Sequence, residues 1–205
     1  MDTTIDIMGA LLSVISAYFF IKEKPIAWII SLAAIPFDVI MDLHIGVYGD
    51  LFLQFLYFIL LIYGWHSWHH GAKVEEGLPL LRMTAKQFYW LGMLTLFPVI
   101  AIWLSLDHYM NSEVALLDAL VTVLSMLAIW LLGRKFIESW LLWIFVDCLY
   151  VALYVSKQMP FHAFMSLFDS GMCVVGYIFW MREYGNINAP IKQEIFEDSV
   201  PQSEG

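Results

Sequence analysis

An all-α membrane protein is what this sequence predicts: seven transmembrane helices, set as two parallel three-helix repeats joined by a connector helix. Three observations carry that reading. The chain is 61% apolar and only 14% charged over 205 residues, with a mean hydropathy of +0.74, whereas soluble domains carry about 45–50% apolar and about 25% charged residues. Gly64-Trp65-His66-Ser67-Trp68 returns 112 positions later as Gly176-Tyr177-Ile178-Phe179-Trp180, and Trp28 returns as Trp140 at the same offset. Nine of the ten Lys and Arg residues fall on alternate connections between the apolar runs.

The apolar runs set the elements in order. A span needs about 20 mainly apolar residues, and seven such runs cover residues 5–21, 25–43, 50–70, 88–106, 114–132, 136–156 and 161–181. They are expected as helices, because in lipid each segment must satisfy its own backbone hydrogen bonds. Upstream of Trp28, Leu11-Leu12-Ser13-Val14-Ile15-Ser16 returns as Leu120-Val121-Thr122-Val123-Leu124-Ser125 at an offset of 109, which places a three-residue difference in the turns near 21–25 and 130–138. Spans one to three then match spans five to seven, and span four is the connector. Four crossings separate the two halves, so they enter with the same orientation, an arrangement found in SWEET transporters, whose sites lie between the halves. Thr84-Ala85-Lys86-Gln87 reads as a capping box opening span four. Pro36 and Pro98 fall inside spans two and four and are expected to bend them. The seven-helix domain is assigned to 1–184, with repeat one at 5–70, the connector at 88–106 and repeat two at 114–181. The remainder, 185–205, carries Glu194, Glu197, Asp198 and Glu204 and reads as a disordered tail.

Charge orients the chain. Lys22, Lys24, Lys73, Arg82, Lys86, Arg134, Lys135, Arg182 and Lys192 lie after odd-numbered spans, and only Lys157 lies on the other side. The positive-inside rule then puts the N-terminus outside and the C-terminus in the cytoplasm of an inner (plasma) membrane. The first residues lack a basic n-region, so an uncleaved first span is expected. A net charge of −9 with no basic patch argues against nucleic acid as a partner. Cys148 and Cys173 fall within spans and read as packing residues rather than a disulfide.

Span six carries the sharpest constellation. Trp140, Trp143, Asp147, Tyr150 and Tyr154 are spaced by three, four, three and four, which puts them on one helix face. A packed aromatic stripe is the plain alternative. A carboxylate near mid-span costs about 2.5–3.5 kcal/mol on insertion scales, however, so it usually faces a cavity or a partner. Span three adds Gln54, Tyr57, Leu61, Gly64 and Trp68 on one face. Span five adds Asp118, Thr122 and Ser125, span two Asp38 and Asp42, and span seven Asp169. No span has a Lys or Arg in its interior, so an anionic ligand would meet acids and no fixed cation. A flat, cationic ring suits such a core, since aromatic faces attract cations by about 0.5–2 kcal/mol each. His66, His69 and His70 share a face at the end of span three and could bind a metal, but no carboxylate or thiol partners them there; interfacial imidazoles are the preferred reading and no metal is expected. No phosphate loop, HExxH or GxSxG occurs. An enzyme is not expected, and no cofactor is implied.

Three stretches carry a resemblance: Val47-Tyr48-Gly49-Asp50-Leu51-Phe52-Leu53-Gln54, Ile62-Tyr63-Gly64-Trp65-His66-Ser67-Trp68, and Arg134-Lys135-Phe136-Ile137-Glu138-Ser139-Trp140-Leu141-Leu142-Trp143. Over about Leu11 to Met181 the chain resembles the PnuC family of vitamin transporters. The resemblance implies a homotrimer and inward facilitated diffusion of an unphosphorylated vitamin, trapped afterwards by a cytoplasmic kinase. Nicotinamide riboside, an NAD precursor, is the commonest substrate; other branches take thiamine or riboflavin. It also implies that Trp140, Trp143 and Gln54 line the site. Asp147 departs from the Asn common in riboside carriers, and Tyr150 replaces a smaller residue. The expectation is therefore a nicotinamide riboside uniporter. Trp140 and Trp143 would stack on the pyridinium, Asp147 and Gln54 would hold ribose hydroxyls or the carboxamide, and Tyr57, Thr122, Tyr150 and Tyr154 would complete the wall. A thiamine carrier is the alternative within the family; a small-ligand membrane receptor or structural subunit is the alternative of another class.

Overall fold

The structure, a computed structural model, describes residues 3–45, 48–70, 79–110, 115–156 and 160–199. Seven helices occupy them: α1 (Thr3–Ile21), α2 (Ile26–Ile45), α3 (Tyr48–His70), α4 (Ala85–Met110), α5 (Ala115–Gly133), α6 (Glu138–Ser156) and α7 (Pro160–Ser199). The first six are 19 to 26 residues long, roughly 30–40 Å at 1.5 Å per residue, which matches a bilayer core. Among the described residues, Ala85–Leu106, Ala115–Gly133, Glu138–Ser156 and Pro160–Ile187 are long and apolar enough to cross a membrane, and Ile7–Ile21 and Ile26–Phe37 are shorter apolar helices. One boundary differs from expectation. The seventh helix continues to Ser199, past the point near 185 where the sequence places a disordered tail. The side chains of Asp38, Asp42, Lys192, Glu194, Glu197 and Asp198, and residues Lys73, Lys157 and Glu204, lie outside what is described.

Helix starts and stops follow their local chemistry. Thr84 and Gln87 form the expected capping box: Thr84 N–H donates to Gln87 Oε1 at 2.9 Å, and Gln87 N–H donates to Thr84 Oγ1 at 3.3 Å. α1 and α5 end in the same turn. Lys24 N–H reaches back to Phe19 O at 2.9 Å and Glu23 N–H to Phe20 O at 3.0 Å; Phe136 N–H reaches Leu131 O and Lys135 N–H reaches Leu132 O, each at 3.0 Å. This is the Schellman closure of a helix C-terminus. Its left-handed residue is Glu23 (φ 54°) in one repeat and Lys135 (φ 57°) in the other. Those positions are 112 apart, and α1 and α5 each span 19 residues. The 112 offset therefore holds through the turn, and the three-residue difference expected there is absent from it. The 109 match lies within the helices. A slip of three residues is nearly one helical turn and leaves the same face apolar.

The helices touch in the order α1, α2, α3, α5, α6, α7 and back to α1, closing a ring; α4 touches only α5 among the described residues. The two contacts that join the halves, α3 with α5 and α7 with α1, are equivalent under the repeat. The ring is filled at one end by indoles: Trp28, Trp68, Trp140 and Trp180 form one core with Phe20 and Ile137. α4 is held through Val99 and Ile102 against Ala119, Leu120 and Val123. Its other faces carry Leu94 at 72% and Phe97 at 80% exposure, apolar surface of the kind lipid covers.

Candidate substrate site

Gly64 and Gly176 set how closely each third helix lies on the second helix of its repeat. A β-carbon at Gly176 would lie 2.7 Å from the ring of Trp140, and one at Gly64 would overlap the ring of Trp28. Each indole also meets the tryptophan one turn past that glycine edge-on: Trp28 and Trp68 at 5.5 Å, Trp140 and Trp180 at 5.4 Å. Trp140 is thus the repeat-two copy of Trp28. It is 2% exposed, with Gly176 against its ring and Trp180 at right angles. In this structure the ring is enclosed by Gly176 and Trp180, whereas the stacking role expected of Trp140 needs an accessible face.

Trp143 differs. It is half-buried at the border of the indole core, and its counterpart 112 positions earlier is Ser31. One turn further along α6, Asp147 is 6% exposed. Cys173 on α7 donates its thiol to Asp147 Oδ2 at 3.7 Å. Asp169, one turn before Cys173, acts on Asp147 electrostatically across the same interface and has a buried Oδ1 without a partner among the described residues. The ion pairs among the described residues, Arg82 with Glu138 and Lys135 with Glu23, do not involve either carboxyl. A buried and a half-buried acid therefore share the α6–α7 face with a thiol, and neither is in an ion pair among the described residues.

The next turn of α6 brings hydroxyls together from three helices. Tyr57 on α3 is hydrogen-bonded to Ser125 on α5, and Tyr150 on α6 bonds to both. Ser125 also donates to Val121 O at 2.7 Å, which fixes its rotamer. Tyr154 stacks on Tyr150 at 5.6 Å and leans on His162 at 5.3 Å. Ser125 sits on the expected face of α5 but stands out in sequence only after this convergence is seen. Thr122 is half-buried one turn away. Gln54 is not gathered into this group. With Ile35, Val39, Phe55 and Phe58 it lines a cavity of about 250 Å³ between α2 and α3. His66 stacks on His70 at 4.1 Å and Trp65 on His69 at 5.6 Å. Among the described residues, no group of three His, Cys, Asp or Glu is placed to hold a metal ion.

Apolar helices closed into a ring, with a hydroxyl cluster built from three of them and lipid-type surface outside, define a multi-pass membrane protein with an internal polar site. Comparison with known proteins makes that more specific. The family model described as Nicotinamide mononucleotide transporter matches residues 3–182, so the chain belongs to that family of membrane transporters, which are not enzymes. Two curated relatives, the Nicotinamide riboside transporter PnuC of Escherichia coli K12 and that of Shigella flexneri, are each 27% identical over 140 residues, covering 56% of this chain. The match spans 59% of each relative's length. A solved structure, "Crystal structure of the Vitamin B3 transporter PnuC", superposes with a TM-score of 0.73 at 19% identity, covering 90% of this chain and 83% of that one, and shares its fold.

Proposed function

We propose that this protein takes up nicotinamide riboside by facilitated diffusion across the inner membrane, as a 3+1+3 bundle with its N-terminus outside and its C-terminus in the cytoplasm. The observation that carries the proposal is the buried Asp147, one turn from the half-buried Trp143 and from the Tyr57–Ser125–Tyr150 hydroxyls, with the half-buried Asp169 across the α6–α7 interface and neither carboxyl in an ion pair among the described residues. A ligand that is a flat cation at one end and a polyol at the other supplies what each of these groups lacks. Trp143 offers a face to the pyridinium, worth about 0.5–2 kcal/mol. Asp147 supplies counter-charge, and Tyr57, Thr122, Tyr150 and Tyr154 meet the ribose. Gln54 reaches the ligand from α3 once the cavity beside it closes, and Trp140 acts as the wall behind Trp143. The family description names the mononucleotide and the relatives name the riboside. The absence of Lys and Arg from the spans favours the riboside, because a phosphate would be desolvated among acids. Thiamine is less favoured, since the relatives carry the riboside name. Assembly as a homotrimer follows the same family reading. A titration of purified protein, followed by Trp fluorescence, tests the substrate. The riboside should bind more tightly than thiamine, riboflavin or the mononucleotide, and a preference for any of the three would overturn the assignment.

A further inference from the structure

One end of the ring is shut by contacts that run from repeat to repeat. Trp68 Nε1–H donates to Leu132 O, and Trp180 Nε1–H donates to Ile21 O, each at 3.2 Å. Both carbonyls lie in the last turn of the other repeat's first helix, beyond the reach of that helix's own i to i−4 bonds; Leu132 O also accepts from Lys135 N–H in the closing turn. Between these bonds the rings form an unbroken series. Phe20 meets Trp28 at 4.8 Å, Trp28 meets Trp68 at 5.5 Å, Trp68 meets Trp180 at 6.1 Å, and Trp180 meets Trp140 at 5.4 Å. Over the plug, Lys135 Nζ pairs with Glu23 Oε2 at 2.6 Å and lies 5.0 Å above the ring of Trp68.

The location of that ion pair is informative. Glu23 and Lys135 hold the left-handed positions of two equivalent turns, where glycine fits best and is the usual residue. Turn geometry therefore does not call for either side chain, yet the two are of opposite charge and meet each other. Lys135 is 7% exposed, so separating it from Glu23 would strand a largely buried charge unless water enters. The two turns are anchored unequally. Segment 79–84 is clipped to the α5–α6 turn: Leu81 N–H donates to Lys135 O at 2.9 Å, Ile137 N–H donates to Leu81 O at 3.0 Å, and Met83 N–H donates to Glu138 Oε2 at 3.0 Å. The α1–α2 turn has Pro25 and Ile26 at the positions of Ile137 and Glu138. Proline has no N–H to donate and isoleucine no carboxylate, so repeat one cannot form the same clip.

We propose that the Glu23–Lys135 pair, with the two crossed indole bonds beneath it, is the gate at the end of the ring that bears Lys22, Lys24 and Arg134, and that it is closed here. This rests on the transport reading above and adds the moving part. On opening, the α1–α2 turn swings away from the α5–α6 turn, which stays clipped to 79–84, and water reaches both charges. Trp28 Nε1 and Trp140 Nε1 are buried without an acceptor among the described residues, which keeps the closed state from being too deep, since an unpaired buried donor is unfavourable.

The test uses the full chain carrying Glu23→Cys and Lys135→Cys, reconstituted in liposomes and bridged by a short bifunctional thiol reagent that reduction cleaves. Wild type treated alike controls for Cys148 and Cys173. The bridged protein should still bind nicotinamide riboside, while uptake falls at least about tenfold, equivalent to 1.4 kcal/mol, and returns on reduction. Bridged protein that transports at its unbridged rate would overturn the gate. Charge exchange gives a second reading. Lys135→Glu alone should impair uptake, and Glu23→Lys added to it should restore most of the loss; an unimpaired single variant or an unrestored double variant also overturns it. Wild-type protein with no riboside uptake would refute the transport reading instead.

Discussion

Gly176→Ala and Gly64→Ala test the packing that places α6 and α2 around the ring. A methyl group at 176 would stand 2.7 Å from three atoms of the Trp140 ring, roughly 1 Å inside a normal carbon–carbon contact of about 3.5–4.0 Å. The ring cannot retreat easily, because Trp180 meets it edge-on at 5.4 Å. At 64 the overlap with Trp28 is deeper, and Phe20 and Trp68 close that indole in from two sides. Overpacking of this kind costs about 1–3 kcal/mol. The same exchange removes a helical glycine, which by itself favours the helix by about 0.8–1 kcal/mol. Gly92 and Gly171 isolate that second effect, since an added β-carbon there meets nothing within 4 Å. Thermal unfolding in detergent should therefore rank Gly171→Ala and Gly92→Ala at or above wild type, Gly176→Ala below them, and Gly64→Ala lowest. At about 2–4 °C per kcal/mol for a chain of this size, the gap between the packed and open sites is several degrees. A Gly64→Ala protein that melts with Gly171→Ala would refute the close packing of α3 on Trp28.

Further expectations concern the site and the topology. Trp143→Ala should weaken riboside binding by at least about 1 kcal/mol, roughly five- to tenfold, with the melting temperature little changed, whereas Trp140→Ala should lower the melting temperature first; equal effects in a paired titration and melt would contradict their different roles. Asp147→Asn should leave the protein folded and weaken every cationic ligand if the carboxylate is a counter-charge; unchanged riboside affinity in the same titration would reduce Asp147 to a hydroxyl acceptor. A reporter active only outside the cytoplasm, fused after Gly185, should be silent, and a signal from it would reverse the orientation read from the basic residues.

Much of this was legible in the sequence. The Trp and Gly pairs at 112 fixed which helices are equivalent, because an indole seated on a glycine is a packing unit that a duplicated fold must keep twice. The same logic separates Trp140 from Trp143. Helical spacing puts Trp140, Trp143 and Asp147 on one face but does not say where the packed part of that face ends. The marker is the other repeat. Trp140 answers to Trp28, while Trp143 and Asp147 answer to Ser31 and Ile35. The tryptophans and glycines kept in both copies pack against each other in both. The Glu23–Lys135 pair could not be read in advance, since nothing local marks a charged residue as left-handed where glycine is usual. Ser125 is visible in sequence only as part of a polar face of span five; its partners Tyr57 and Tyr150 come from helices distant in sequence, and spacing along one helix cannot show that convergence.

Uptake of labelled nicotinamide riboside into proteoliposomes, with no ion gradient or nucleotide supplied, is the most direct test of the central claim. Riboside should equilibrate into vesicles holding the protein and not into empty ones. Excess unlabelled riboside should compete, and the phosphorylated mononucleotide should not, because its phosphate finds acids and no Lys or Arg within the spans. Binding without entry would place the protein among ligand-binding membrane subunits rather than carriers. Entry of the mononucleotide at the riboside's rate would contradict the reading of Asp147 and its surroundings as a site for an unphosphorylated cation.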